Sequence, residues 1–260
     1  MATKTTDIAT VQQYAAMEIS PREIAEMLLE TSGGQRISPF DLDLIKVPSG
    51  QGAPMWAVQT LDGEDAAKTI DGIMILTRTI RSWWETSIDQ TGGGSAPDCS
   101  SQDGQVGVGA PKGHPDFVEG NYDVRYTQDG EEIRRGRFDC NACPLAEFGS
   151  DARGSGKACK ENLLIFMLRP ESVIPMVIKV PPSSIKVMRN FIRSLMGRGI
   201  KPFGAVVSLG LKKVTKGGSP AYFEIEPKIA QRLAPDELEK IRALRDSLVP
   251  VLNNRPVTAD

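Results

Sequence analysis

The pattern of apolar and polar positions is plainest in the second half of the chain. Leu163 to Leu168 is an unbroken apolar run, which predicts a buried strand, and Ile174 to Val180 predicts another after the turn Arg169-Pro170-Glu171-Ser172. Pro181-Pro182-Ser183-Ser184 then stops the sheet and offers a serine N-cap. Ile185, Met188, Ile192 and Leu195 recur at spacings of three, four and three, so Ile185 to Met196 reads as an amphipathic helix ended by Gly197 and Gly199. Phe203 to Val214, the turn Lys216-Gly217-Gly218-Ser219 and Ala221 to Ile229 predict a hairpin. Pro235 to Leu248 predicts a last helix, with Leu238, Ile241, Leu244 and Leu248 as its stripe.

The first half is less regular. Ser20-Pro21 sets a proline at a helix start, and Arg22 to Glu30 continues it as a short amphipathic helix that Gly33 and Gly34 end. Alternation over Leu42 to Val47, the turn PSGQG at 48–52 and the stretch Met55 to Thr60 read as β. Gly72 to Trp84 predicts one long strand that begins buried and then alternates through Arg78, Ile80 and Ser82. Residues 91–121 are rich in Gly, Pro, Asp and Ser and read as a long loop or insertion. Asn121 to Tyr126 and Ile133 to Phe138 flank Gln128-Asp129-Gly130 as a hairpin that leads into Cys140-Asn141-Ala142-Cys143.

An order of strand, strand, helix, strand, strand matches the later part of an OB-type barrel, where the helix lies between the third and fourth of five strands. The expected fold class is therefore β-rich α+β: an OB-like barrel with a zinc-binding insertion and peripheral helices. Residues 1–38 form an N-terminal arm with a short helix. Residues 39–232 form the OB-like core, interrupted at about 91–160, and 233–260 form a C-terminal helix and tail.

Composition adds limits. With 40% apolar and 25% charged residues the chain can build a core. No apolar run approaches the roughly 20 residues of a bilayer span, and MATKTTDIATVQQY lacks the apolar core of a secretory signal. These features predict a soluble cytoplasmic protein with no membrane partner. Four cysteines are too few for a disulfide scaffold, and a reducing compartment leaves metal binding or burial as their uses.

Cys140 and Cys143 form a CxxC pair followed by Pro144, Cys159 lies in the Gly-rich stretch GSDARGSGKAC, and Cys99 lies in the turn-like PDCSS. None sits in an apolar run, where buried structural cysteines are usual. Zinc takes four ligands in a tetrahedron, with thiolates at about 2.3 Å, so Cys99, Cys140, Cys143 and Cys159 are the expected ligands of a structural Zn2+. A shell closed by four thiolates has no open position for catalysis. A redox-active CxxC or unrelated thiols are the other readings. His114, the one histidine, could replace Cys99 or Cys159 as a ligand or be an ordinary loop residue.

Charge changes the picture once more. Residues 178–216 hold nine basic residues and no Asp or Glu, while the rest of the chain has 22 basic against 33 acidic residues. Lys186, Arg189 and Arg193 share a face of the predicted helix, and Lys212, Lys213 and Lys216 follow on the hairpin. Such a flank could track a phosphate backbone, or could be a solvated face balanced by acids elsewhere. Trp83, Trp84, Tyr126, Phe203 and Tyr222 are the candidates for stacking on unpaired bases, each with core packing as its alternative.

Enzyme chemistry finds little support. With one histidine, neither a Ser-His-Asp triad nor a catalytic metal-histidine site is credible, no phosphate-loop motif occurs, and the glycines around Gly107 lack a flanking strand and helix pattern. Asp116 with Glu131 and Glu132 only faintly suggests a nuclease arrangement. The expectation is a protein that is not an enzyme.

The run Cys140 to Pro144, with Cys99 and Cys159, and the strands, basic helix and hairpin from Leu163 to Ile229 resemble the zinc-containing single-stranded DNA-binding proteins of phages and mobile elements, the T-even phage type in plan. That type has a histidine among its ligands where this chain offers four cysteines, and VLNNRPVTAD is not an acidic tail. The resemblance implies a protein that coats and protects unpaired strands, without sequence readout, during replication or recombination. It also implies DNA as the strand and self-association through residues 1–36. The alternative is a zinc-stabilised interaction, structural or regulatory protein that binds no nucleic acid.

Overall fold

The computed structural model describes residues 20–31, 41–50, 52–60, 63–86, 96–115, 123–126, 132–152, 154–170, 172–215 and 220–253, with the backbone alone at 31, 123–126 and 132–135. Within these the protein is β-rich α+β, with a mixed sheet and three helices. It divides into two compact units. One comprises residues 1–77 and 164–260, the other Arg78–Leu163. Among the described residues no helix is long and apolar enough to cross a membrane.

In the first unit, β4 (Ile70–Trp83, whose far end belongs to the second unit) lies between β9 (Lys160–Leu168) and β11 (Ala205–Val214). Beyond β9 come β10 (Met176–Val180) and then the short β1 (Leu44–Lys46), which pairs parallel to β10, Ile45 opposite Ile178. Beyond β11 comes the antiparallel β12 (Tyr222–Arg232). The spatial order β11-β4-β9-β10 is that of a Greek key, in which the fourth strand returns beside the first. Helix α2 (Pro182–Gly197) connects the third and fourth of these strands. The strands do not close into a barrel: β10 carries β1 on its outer edge, and no pairing joins β10 to β12 among the described residues. A separate hairpin, β2 (Trp56–Thr60) and β3 (Gly63–Ala67), completes the unit's strands.

Six consecutive residues of β9, Leu163 to Leu168, are buried, as are Ile73, Met74 and Ile75 on β4. Side chains alternate across a strand, so an unbroken buried run means that both faces of the sheet are covered. Each such Leu, Ile or Phe contributes about 1.5–3 kcal/mol by leaving water. Trp56, fully buried, satisfies its indole N–H by donating to the carbonyl of Leu209 at 2.9 Å, the partner a buried tryptophan needs.

Helix α1 (Pro21–Thr31) starts with a reciprocal cap: the Ser20 hydroxyl accepts from the Glu23 N–H at 3.2 Å, and the Glu23 carboxylate accepts from the Ser20 N–H at 2.8 Å. Its buried Ile24, Ala25 and Leu28 pack against α3 (Pro235–Leu252), whose stripe Ile241, Leu244 and Leu248 is buried in turn. Arg245 of α3 donates from Nε to the carbonyl of Ile75 at 3.0 Å. The start of α2 differs from expectation. Pro181 is the N-cap residue and Pro182 begins the helix with its fixed φ, so no serine side chain caps it. Ser184 is instead fully buried, and its hydroxyl accepts the N–H of Ile225 at 3.0 Å, pinning α2 to β12. Beyond the C-cap Arg198 the chain turns at Gly199, whose φ of +72° is open to glycine, with Ile200 returning its N–H to Leu195 at 3.0 Å.

The second unit spans 78–163, where the sequence predicted an insertion at about 91–160. Its strands are the end of β4, then β5 (Cys99–Ser101), β6 (Val106–Gly109), β8 (Glu132–Asp139) and β7 (Asp123–Tyr126) in spatial order, all antiparallel, with the start of β9. The expectation of a loop over 91–121 is corrected here. Two short strands form inside it because Asp103 organises the turn between them. Its Oδ1 accepts from the Ser101 hydroxyl at 3.0 Å and from the N–H groups of Gln105 and Val106 at 2.8 and 2.9 Å. Burial alone would raise the Asp103 carboxyl, but these hydrogen bonds outweigh it and hold the carboxyl below its ordinary value.

A four-thiol cavity and a basic helix face

Strand register assembles the cysteine cluster. Trp83 pairs with Cys99 across β4 and β5, Arg81 with Ser101, and Cys99 with Gly109 across β5 and β6. Alternation then puts Arg81 and Trp83 on one face of β4, and Cys99 and Ser101 on one face of β5. Phe138 pairs with Gly107, and just beyond β8 the Cys140 N–H donates to the carbonyl of Gln105 at 2.8 Å. The turn through Cys143 is held by the Asp139 carboxylate, which accepts the Asn141 N–H at 2.8 Å, and by a single 3₁₀ turn, Pro144–Ala146. Cys159 comes back to it, donating its N–H to Leu145 at 2.7 Å.

All four cysteines, none of them disulfide-bonded, line one cavity of about 20 Å³, together with Arg81, Trp83, His114 and Phe138. Gly107 makes room for the thiols: a Cβ there would sit 3.0 Å from Cys99 Sγ and 3.4 Å from Cys140 Sγ. Burial, with the neighbouring thiols adding to it, pushes the Cys99 thiol up to about 12 and the Cys159 thiol up to about 11; burial raises Cys140 as well, against the pull of the Ser101 hydroxyl and Arg81. The side chains share the cavity without being drawn into a coordination shell: among the described residues no three His, Cys, Asp or Glu stand as a set that could hold a metal ion.

His114 lies in the same cavity wall, 3% exposed, its ring tilted against Phe138 with 5.1 Å between centroids. Its Nε2 is 3.0 Å from the carbonyl of Asp139. A carbonyl only accepts, so this nitrogen carries the proton, an arrangement shared by metal-bound histidines, whose second nitrogen donates to a carbonyl. Arg81 is the lining residue with a fixed positive charge. Its Nη1 donates to the carbonyl of Cys140 at 2.7 Å, and its Nη2 meets the Glu161 carboxylate at 3.3 Å.

Comparison with known proteins finds no match. Neither a family model, nor a curated protein, nor a solved structure aligns with this chain.

The predicted nucleic-acid residues are distributed as follows. Lys186, Arg189 and Arg193 are exposed on α2, whose inner face buries Ile185, Met188 and Leu195. Lys212 and Lys213 are exposed on β11 opposite Glu224 and Phe223. The Ser184–Ile225 hydrogen bond ties the start of α2 one residue from Glu224, so helix and hairpin cations belong to one local framework. Lys216 lies outside the described residues, as do Asp116, Glu131 and the turn at Gln128; Tyr126 is described as backbone only.

The aromatic expectations change more. Trp83 is 6% exposed and walls the thiol cavity, so it is not a stacking platform, and Trp84 is half-buried. Phe203 already lies under two cations, with Arg245 5.0 Å and Lys201 5.5 Å from its ring centre. Tyr222 is half-buried at the end of β12. Two residues that sequence reasoning missed stand out. Arg81 was legible in principle, being two positions before Trp83 on a strand. Phe148 is 82% exposed beside the CxxC turn with Lys157 4.9 Å from its ring centre, and its polar neighbours gave no signal for it.

Proposed function

We propose that this protein binds single-stranded nucleic acid, DNA in the first instance, coating it through backbone contacts without reading sequence. A structural metal, Zn2+ by its donor set, organises residues 78–163. The observation that carries the binding half is the exposure of Lys186, Arg189 and Arg193 along α2, with Lys212 and Lys213 on the hairpin to which α2 is pinned. Seven exposed cations lie between Lys186 and Lys213 with no acidic residue in that stretch, a charge balance suited to phosphates. The Greek-key order with a helix between third and fourth strands supports an OB-like arrangement, partly open rather than a closed barrel. Because both faces of β9 and β10 are covered, contact falls to the helix and hairpin and is mainly electrostatic.

Two observations support the metal half. Gly107 leaves the space that two thiols need, and the buried Nε–H of Arg81, beside the cavity, has no acceptor. Cys99, Cys140, Cys143 and Cys159 would hold the ion, after rotation of side chains toward a common centre; His114 is the alternative donor. Bound there, the ion supplies cross-linking between strand ends, not catalysis.

Fluorescence anisotropy with unpaired and duplex oligonucleotides over a salt series tests the binding. The unpaired strand is expected to bind more tightly. Replacing Lys186, Arg189 and Arg193 by Ala together is expected to flatten the log–log salt slope by about 2, from about 0.7 per lost contact. No binding at low salt would leave the second reading, a metal-stabilised interaction protein.

A further inference from the structure

We propose that Arg81 is a positioning residue for the metal centre, its Nε–H donating to a cysteine sulfur and its charge offsetting that of the loaded cluster. The inference rests on the metal reading of the four-thiol cavity.

Three observations lead to it. The Arg81 side chain is 16% exposed and its partner Glu161 15%, so the guanidinium is largely removed from water. Two of its nitrogens are accounted for, Nη1 on the carbonyl of Cys140 and Nη2 on Glu161, while Nε is buried with no partner. A buried N–H without an acceptor costs about 1–3 kcal/mol, more on a charged group, so an orphan of this kind calls for an explanation. The residues lining the same cavity supply four sulfurs as candidate acceptors.

Charge points the same way. Binding a divalent ion to four thiols releases four protons and leaves a cluster of net charge −2. Of the described residues lining the cavity, Arg81 alone is a lysine or arginine. A partly buried dianion with no cation beside it would be strongly disfavoured. Arg81 already holds the backbone of one expected ligand, Cys140, so the group that fixes the loop is also the one placed to balance the charge.

The test uses full-length protein stripped of metal in reductant and titrated with Co2+, with affinity from chelator competition and the sulfur-to-cobalt charge-transfer band as the spectroscopic signature. Arg81→Lys keeps the charge and loses Nε–H; Arg81→Met loses both. Expected losses in Co2+ affinity are about 10-fold for Arg81→Lys and about 100-fold for Arg81→Met, and the band shifts in both. Glu161→Gln, which leaves the Arg81 N–H groups in place, is expected to leave the band where it is. An unmoved band in both Arg81 variants overturns the proposal, even where affinity falls, because a merely structural role would do that. If the unaltered protein takes up no Co2+, the metal reading fails and this proposal with it. Uptake with an unmoved band sinks Arg81 alone.

Discussion

The two units are held together by different means. In the first, β4, β9 and β11 contribute runs of Ile, Leu, Met, Phe and Val that are buried on both faces, with helices supplying further apolar stripes. In the second, Trp83, Pro111, Phe138, Cys140 and Leu163 are the buried apolar side chains among those described, and the remaining order comes from polar devices: the Asp103 turn, the Arg81–Glu161 pair, and the bond of Lys160 to Asp151. Among the described residues of this unit the buried apolar groups are few, so hydrophobic burial contributes less there than in the first unit. It is the setting in which metal binding becomes folding energy. The first unit should therefore behave as a cooperative core, and the second as a conditional one.

The strongest way to break that contrast is to remove the metal proposed for the four-thiol cavity. With chelator, or in Cys140→Ser, hydrogen exchange across 99–109 and 136–160 is expected to accelerate on the order of 100-fold or more, while 73–75 and 164–168 keep their protection. Equal protection of both segments before and after stripping would erase the distinction. Next in size is Phe166→Ala, a fully buried side chain in β9, which is expected to cost about 3–5 kcal/mol in denaturant unfolding followed by signals from the first unit. Ser184→Ala leaves the Ile225 N–H without its acceptor and should cost about 1–3 kcal/mol by the same measurement.

The smallest effect concerns acid. The folded-state Asp103 carboxyl lies below its ordinary 3.8, so the folded unit binds fewer protons there than the unfolded chain. Its contribution is present above pH 3.8 and is lost as pH falls through the lower, folded value. Asp103→Asn should flatten the acid limb of the second unit's stability, read by exchange at Val106 and Gln105, and leave the first unit's profile unchanged.

What could be read beforehand follows the same division. The run from Leu163 to Leu168 and the three-four-three spacing from Ile185 to Leu195 announced themselves because hydrophobic burial imposes a period on the sequence. The four cysteines were legible by residue type, and the structure brings them to one cavity. Strands β5 and β6 were not legible, since their order comes from one aspartate in a Gly-rich stretch and leaves no hydrophobic period. The sequence offers a serine cap within Pro181 to Ser184, yet Pro181 is the N-cap residue and Pro182 starts the helix, leaving the Ser184 hydroxyl for a partner 41 positions away. Trp83 and Phe203 illustrate the limit of aromatic counting: one walls the thiol cavity, and the other is covered by cations of its own chain.

The placement of β4 beside β9 has a consequence for how much chain can be inserted between them. The first unit gives up the chain at Thr77 and takes it back at Leu164, on strands that are sheet neighbours. Joining two adjacent strand ends costs closure entropy that grows only with the logarithm of the intervening length, each doubling adding about 0.6 kcal/mol. The framework is thus a socket nearly indifferent to the size of its cargo, and what is mounted there can be lengthened, shortened or exchanged while the socket keeps its own shape.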